Sequence, residues 1–272
     1  MNQSLKAAVY GLAVADALGV PYEFLIRGSF EAVGMTGYGS HQQPAGTWSD
    51  DTSLVLATCD SIREKGKIDP ADMQQRFKKW LFEGAYTPDG LTFDVGNATR
   101  EALTRGHGLS DEYSNGNGSL MRILPLAFTA AGPSDIEAVS SITHAHATSV
   151  EACLLYVDFA RRLLKGRQLS EILSGLETST TYARLQTLED LTEDDIRSTG
   201  YVVDTLEAAL WCLLTSTSYP ETVLKAVNLG DDTDTVAAVA GGLAGIIYGL
   251  EGIPDNWLAQ LRNKELLESC LF

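Results

Sequence analysis

Runs that alternate apolar and polar residues with the period of a β-strand are nearly absent from this chain, which argues against a sheet as its core. Cysteine is also sparse. None of Cys59, Cys153, Cys212 and Cys270 forms a C-x-x-C pair, so neither a zinc ribbon nor a disulfide framework is indicated, and buried free thiols in a reducing compartment are expected. Basic residues are few: 20 Lys and Arg face 36 Asp and Glu, a net charge of −16. Such a surface repels phosphate backbones and argues against nucleic acid as a partner. The longest uncharged apolar stretch, Val236 to Leu250, falls short of the ~20 residues that cross a bilayer, and it reads as a buried helix. Met1 to Ala8 lacks the basic start and apolar core of a secretory signal, so a cytoplasmic location is expected, with no membrane partner.

What is present is helical from end to end. Apolar residues recur at helix spacing over Ser4–Leu18, Thr52–Lys65, Asp69 or Pro70–Phe82, Asn97–Arg105, Leu120–Ala131, a segment opening at Ser134, Ala147–Leu164, Leu169–Glu177, Val203–Thr215, Pro220–Leu229, Val236–Leu250 and Asn256–Leu267. Gly, Asn and Pro punctuate them. No stretch has the composition of an interdomain linker, and the pattern predicts one all-α, compact multi-helix domain over residues 1–272. Gly241, Gly242, Gly245 and Gly249 would let neighbouring helices approach closely, which places Val236–Leu250 at the centre of the bundle.

Two acidic clusters stand out. Ser49-Asp50-Asp51-Thr52 opens one apolar helix, and Asp231-Asp232-Thr233-Asp234-Thr235 opens another far along the chain. Taken singly, Asp50 or Asp232 reads as a helix N-cap. Together the clusters hold more carboxylates than capping needs, and each contains Asp-Asp-Thr. Ser49, Asp50, Asp51, Asp232, Asp234 and Thr235 supply oxygen donors without sulfur or imidazole, which suits Mg²⁺ or Mn²⁺ and argues against zinc. Glu23, on a glycine-rich loop after an apolar helix, is a further ligand or base. The Asn115-Gly116-Asn117-Gly118-Ser119 turn, read as leading into a helix at Leu120, would offer backbone amides to phosphate, with Arg122 either assisting or on the surface. His144 and His146 are spaced by two and do not form a helical metal pair.

These segments, in their order, resemble the ADP-ribosylglycohydrolase family. The resemblance rests on Gly11-x4-Asp16-Ala17-Leu18-Gly19 with Glu23, Gly46-Thr47-Trp48-Ser49-Asp50-Asp51-Thr52, and Gly116-Asn117-Gly118-Ser119-Leu120-Met121-Arg122. It continues through Thr143-His144-Ala145-His146, Gly200-Tyr201-Val202-Val203-Asp204-Thr205-Leu206 and Asn228-Leu229-Gly230-Asp231-Asp232-Thr233-Asp234-Thr235. It implies a central cleft with two divalent cations, Mg²⁺ or Mn²⁺, held by Ser49, Asp50, Asp51, Asp232, Asp234 and Thr235. It implies a substrate pocket of Gly116, Asn117, Gly118, Ser119, His144 and Tyr201, and Glu23, Asp50 or Asp51 as the catalytic acid or base. The implied reaction removes ADP-ribose from a modified protein, or acts on ADP-ribose itself, by hydrolysis at C1 of the distal ribose. A non-catalytic ADP-ribose binder and a two-metal phosphoesterase are the alternatives. Ser49 stands where Thr is common in the family, and Asp231 where Gly is common.

Overall fold

The structure, a computed structural model, describes residues 2–272. Its centre is a pair of antiparallel helices distant in sequence. Helix α1 (Gln3–Gly19) is buried at every residue from Ala7 to Gly19, and α10 (Thr233–Tyr248) at every residue from Thr233 to Gly245. Helices apolar on all sides belong inside a bundle. Small residues set their separation. A Cβ on Gly11 would lie 2.4 Å from the Gly241 carbonyl oxygen, and one on Gly245 would lie 2.3 Å from that of Ala7. The predicted role of Gly241 and Gly245 is therefore met by backbone-on-backbone contact. Gly249 instead ends α10 at φ +70°.

Around this pair the other helices are α2 (Asp50–Lys65), α3 (Pro70–Glu83), α4 (Asn97–Arg105), α5 (Pro133–Ser140), α6 (Ala147–Leu164), α7 (Leu169–Ser174), α8 (Val202–Leu214), α9 (Tyr219–Asn228), α11 (Asp255–Gln260) and α12 (Lys264–Cys270). α10 packs on α1, α9, α8, α6 and α2. Only isolated β-bridges occur among the described residues, and all four cysteines are buried free thiols. Each large apolar side chain in this interior, such as Leu12, Leu54 or Phe159, contributes roughly 1.5–3 kcal/mol relative to exposure. No helix among the described residues is long and apolar enough to cross a membrane.

Three expected helices differ. Leu120–Ala131 is not an α-helix: turns lead into a 3₁₀ segment at Leu124–Phe128. Pro125 has no N–H to donate and its ring crowds the preceding turn, so apolar spacing alone is overruled. Asn256–Leu267 is two helices, α11 and α12, because Asn263 takes a left-handed φ of +43° between them. The segment expected to open at Ser134 begins instead at Pro133, with Asp135 Oδ2 accepting from the Gly132 N–H at 2.8 Å.

Candidate metal centre and active site

The first turns of α2 and α10 are brought together by α1. Asp16, buried in α1, caps a helix that is not its own: its carboxylate accepts from the Ser49 N–H at 2.9 Å, the Thr52 N–H at 3.0 Å and the Thr52 hydroxyl at 2.5 Å. At the end of α1, a Cβ on Gly19 would fall 2.4 Å from Asp234 Cα, so only glycine lets α10 begin there. The Thr233 hydroxyl donates to the Gly19 carbonyl at 2.8 Å and locks the register. Both helices therefore open on the last turns of α1, between Asp16 and Gly19. Carboxylate oxygens of Asp16, Asp51 and Asp234 lie within 4.8 Å of each other, and the Thr235 hydroxyl donates to Asp51 Oδ2 at 3.3 Å.

Capping accounts for part of this set and stops there. Ser49 is the N-cap of α2, accepting from the Asp51 N–H at 3.3 Å and donating to Asp51 Oδ2 at 3.0 Å. Asp232 occupies the N-cap position of α10 but makes no capping hydrogen bond; Asn117 Nδ2 donates to it at 2.8 Å instead. Asp51 Oδ1 and Asp234 Oδ2 are buried and have no partner. An orphaned buried carboxylate oxygen costs several kcal/mol.

Glu23, expected on a loop, is buried, and its Oε2 meets His41 Nε2. Its loop is anchored at the entry to α10, where the Phe24 N–H donates to the Asp231 carbonyl at 2.7 Å and the Asp231 N–H to the Leu25 carbonyl at 2.9 Å. Asp231 sits at φ +62°, a conformation glycine adopts without strain. Two groups absent from the sequence expectation complete the acidic wall. Asp94, at φ +50° just before α4, faces Glu23 and Asp50, and His41 brings an imidazole into a centre expected to have none. Asp94 precedes Val95-Gly96-Asn97, which reads as ordinary turn chemistry; nothing local in the sequence marks His41.

The electrostatics follow from burial. Among the described residues, His41 is the only cationic group in an ion pair with this cluster. Burial, then the neighbouring acids, hold Asp50, Asp51 and Asp234 well above the usual carboxylate range. Burial raises Glu23 to about 8. Asp16 and Asp232 are raised by burial to about 6, restrained by their hydrogen bonds from Thr52 and Asn117. Burial lowers His41, but its bond to Glu23 and the charge of Asp94 outweigh this and leave it raised. Oxygen donors that hold protons only for want of a positive charge, with two oxygens unpartnered, fit a pair of hard divalent cations.

Above the acids opens a cleft of about 350 Å³, lined among others by Glu23, Asp50, Asp94, Gly116, Gly118 and His144. The Gly116–Gly118 turn forms one wall by its backbone. A Cβ on Gly118 would lie 2.9 Å from both His144 Cε1 and Thr99 Oγ1. The Asn117 N–H donates to the Gly200 carbonyl at 3.1 Å, and Asn117 Nδ2 also reaches Thr205 Oγ1 at 2.9 Å. His144 lines the cleft and is held by Thr143 Oγ1 at 2.8 Å; burial, then the charge of Arg122, lowers it to about 3 and keeps it neutral. Ser119 turns inward, accepting from Ser140 Oγ at 3.0 Å, and lies outside the cleft wall. Tyr201 pairs with Gly116 through its backbone and is 43% exposed. Arg122 is not on the surface: it is fully buried and donates to the Gly118 and Val139 carbonyls. Without an α-helix at Leu120, the turn has no helix N-terminus behind it, and its usable groups are its own backbone.

Residues 2–271 match the family model described as ADP-ribosylglycohydrolase. The chain is 38% identical over 94% of its length to ADP-ribosylarginine hydrolase Tri1 of Pseudomonas putida (strain GB-1), covering 73% of that protein. It is 34% identical over 94% of its length to the ADP-ribosyl-[dinitrogen reductase] glycohydrolase of Rhodospirillum rubrum, covering 90% of it. A solved structure described as an ADP-ribosylglycohydrolase-related protein complex superposes with a TM-score of 0.84 at 33% identity, covering 98% of this chain and 95% of that one.

Proposed function

Because the chain belongs to the ADP-ribosylglycohydrolase family, we propose that it is a hydrolase that removes ADP-ribose from a modified protein by breaking the bond at C1 of the distal ribose, with two divalent cations as cofactor. Among linkages, ADP-ribosylarginine comes first, since relatives at 38% and 32% identity carry that substrate in their names. The observation that carries the reading is the pair of unpartnered buried oxygens, Asp51 Oδ1 and Asp234 Oδ2, contributed by the first turns of α2 and α10.

In this reading Ser49, Asp50, Asp51, Asp232, Asp234 and Thr235 hold the cations. Cations bound there would supply the positive charge that keeps these carboxylates ionised and would hold the ribose hydroxyls. The chain's own groups do the rest. Gly116 and Gly118 let the turn close on His144 and Thr99, and its backbone lines the cleft as the surface on which a diphosphate lies. Neutral His144 adds no charge there and offers a hydrogen bond. Asn117 is already engaged by Asp232 and Thr205, so it shapes the wall and ties the turn to α10. Ser119 and Arg122 act from behind, holding the turn; Tyr201 sits at the rim. Glu23 and Asp50 line the cleft and Asp51 does not, so the proton of the attacking water passes to Glu23 or Asp50. The carboxylates beneath the ribose favour an oxocarbenium-like transition state.

The test is to offer peptides ADP-ribosylated on arginine, serine or an acidic residue, with Mg²⁺ or Mn²⁺, and to measure the product. Free ADP-ribose from at least the arginine peptide is expected, and none from the Asp234→Ala variant. Release of phosphate in its place points to a phosphoesterase; binding of ADP-ribose without turnover of any peptide contradicts the enzymatic reading.

A further inference from the structure

We propose that His41 gives this centre a nitrogen ligand, so that one of its two cation positions prefers a transition-metal ion to Mg²⁺. The proposal rests on the metal reading above and adds a donor that neither acidic cluster contains. Glu23, His41, Asp94 and Asp234 each offer one ligand atom, and those atoms all lie within 4.8 Å of one another. Asp234 is fully buried, and its Oδ2 has no hydrogen-bond partner, so the group contains an oxygen that the protein itself does not satisfy.

The imidazole is built into place. Its ring centroid stands 5.8 Å from that of Phe24 and 5.2 Å from that of Phe93, one aromatic from each flanking loop. The turn that carries it, Gly39–His41, is pressed onto the segment before Glu23: a Cβ on Gly39 would lie 1.9 Å from the Pro21 carbonyl oxygen. The Ser40 hydroxyl donates to the Glu23 carbonyl at 2.5 Å, which ties the turn carrying His41 to the Glu23 backbone. His41 Nε2 points at Glu23 Oε2, inward to the acids. Mg²⁺ takes oxygen ligands, whereas imidazole suits later first-row ions, whose affinities for such sites rise from Mn²⁺ through Co²⁺. An all-oxygen centre lacks this source of discrimination.

Calorimetric titration of the metal-free full chain with Mg²⁺, Mn²⁺ and Co²⁺ tests it, alongside His41→Gln. Co²⁺ is expected to bind the wild type more tightly than Mg²⁺. The substitution should weaken Co²⁺ by about tenfold or more and Mg²⁺ by less than about threefold. A second readout is electron-spin-echo modulation of the Mn²⁺-loaded protein, in which a histidine-nitrogen coupling, identified by ¹⁵N-histidine labelling, should appear in the wild type and vanish in the variant. Equal loss for both ions, loss for neither, or no nitrogen coupling overturns the proposal. If His41→Gln does not fold, His41→Asn and the wild-type coupling decide the same question. A wild type that binds none of the three ions overturns the metal reading itself, and this proposal with it.

Discussion

α10 runs between two cavities, and the smaller of them holds the chemistry. At its N-terminus lies the acidic cleft of about 350 Å³; near its C-terminus lies a cavity of about 480 Å³ lined by Leu163, Leu214, Ile246, Ile247 and Tyr248, among others. The far cavity is the larger, yet the charged group on its wall, Arg167, is already paired with Glu171 at 3.1 Å. The near one holds carboxylates that folding has stripped of water and left short of positive charge. Volume alone does not mark a site. A group placed where it destabilises the fold, and supported there by glycines and borrowed caps, marks one.

The sharpest way to break that contrast is Asp234→Ala. Turnover should fall at least about 1,000-fold, some 4 kcal/mol of transition-state stabilisation, while the metal-free protein gains stability because a buried carboxyl that the fold must keep protonated is gone. Parallel steady-state assays and chemical denaturation read the two effects, and loss of both activity and stability would reduce Asp234 to a structural residue. Next in size is the metal itself. At 100 times its dissociation constant, Mg²⁺ or Mn²⁺ should stabilise the fold by about 2.7 kcal/mol, roughly 5–10 °C in melting temperature, reversed by a chelator. Gly19→Ala should cost about 1–3 kcal/mol, since its Cβ meets α10 backbone that cannot yield, and cation affinity should fall with it.

A dependence on pH follows from the same burial. Asp16 and Asp232 titrate near 6 and Glu23 near 8 in the folded protein, all above their usual values, because burial disfavours the charged form. Between about pH 4 and 8 the folded state therefore keeps protons that the unfolded chain has released. Metal-free stability should fall as pH rises through that window, by about 1.4 kcal/mol per unit for each extra proton, and saturating Mg²⁺ should flatten the slope. A metal-free protein that gains stability over the same range would contradict the assigned environment. Smallest of all, Ser216→Ala and Arg167→Ala in the far cavity should leave kcat/KM within about twofold, as surface changes remote from a site do.

Most of the fold could be read from the chain because its helices are punctuated locally. Asn97–Arg105 and Ala147–Leu164 were legible residue for residue, and the glycines of α10 announced its central position. Leu120–Ala131 misled because apolar spacing is shared by helices and by buried irregular chain, and Pro125 decided between them. At the site, the Asp-Asp-Thr tripeptides were visible because each concentrates more acid than a helix start needs. Asp94 and His41 were not. Each is a single polar residue in a loop, and what recruits them is tertiary: the Gly39 turn pressed on Pro21, and Asp94 held at a positive φ beside Glu23. Asp16 lay between these cases, plain in the motif but with its part as a cap for another helix hidden until α1 and α2 were packed.

The most direct measurement is anomalous diffraction from crystals grown with Mn²⁺. Two peaks about 4 Å apart should appear between the first turns of α2 and α10, one reached by Asp51 Oδ1 and at least one by Asp234 Oδ2. Manganese bound only elsewhere, with Asp51 and Asp234 still facing each other unoccupied and protonated, would contradict the shared centre on which the proposed chemistry depends.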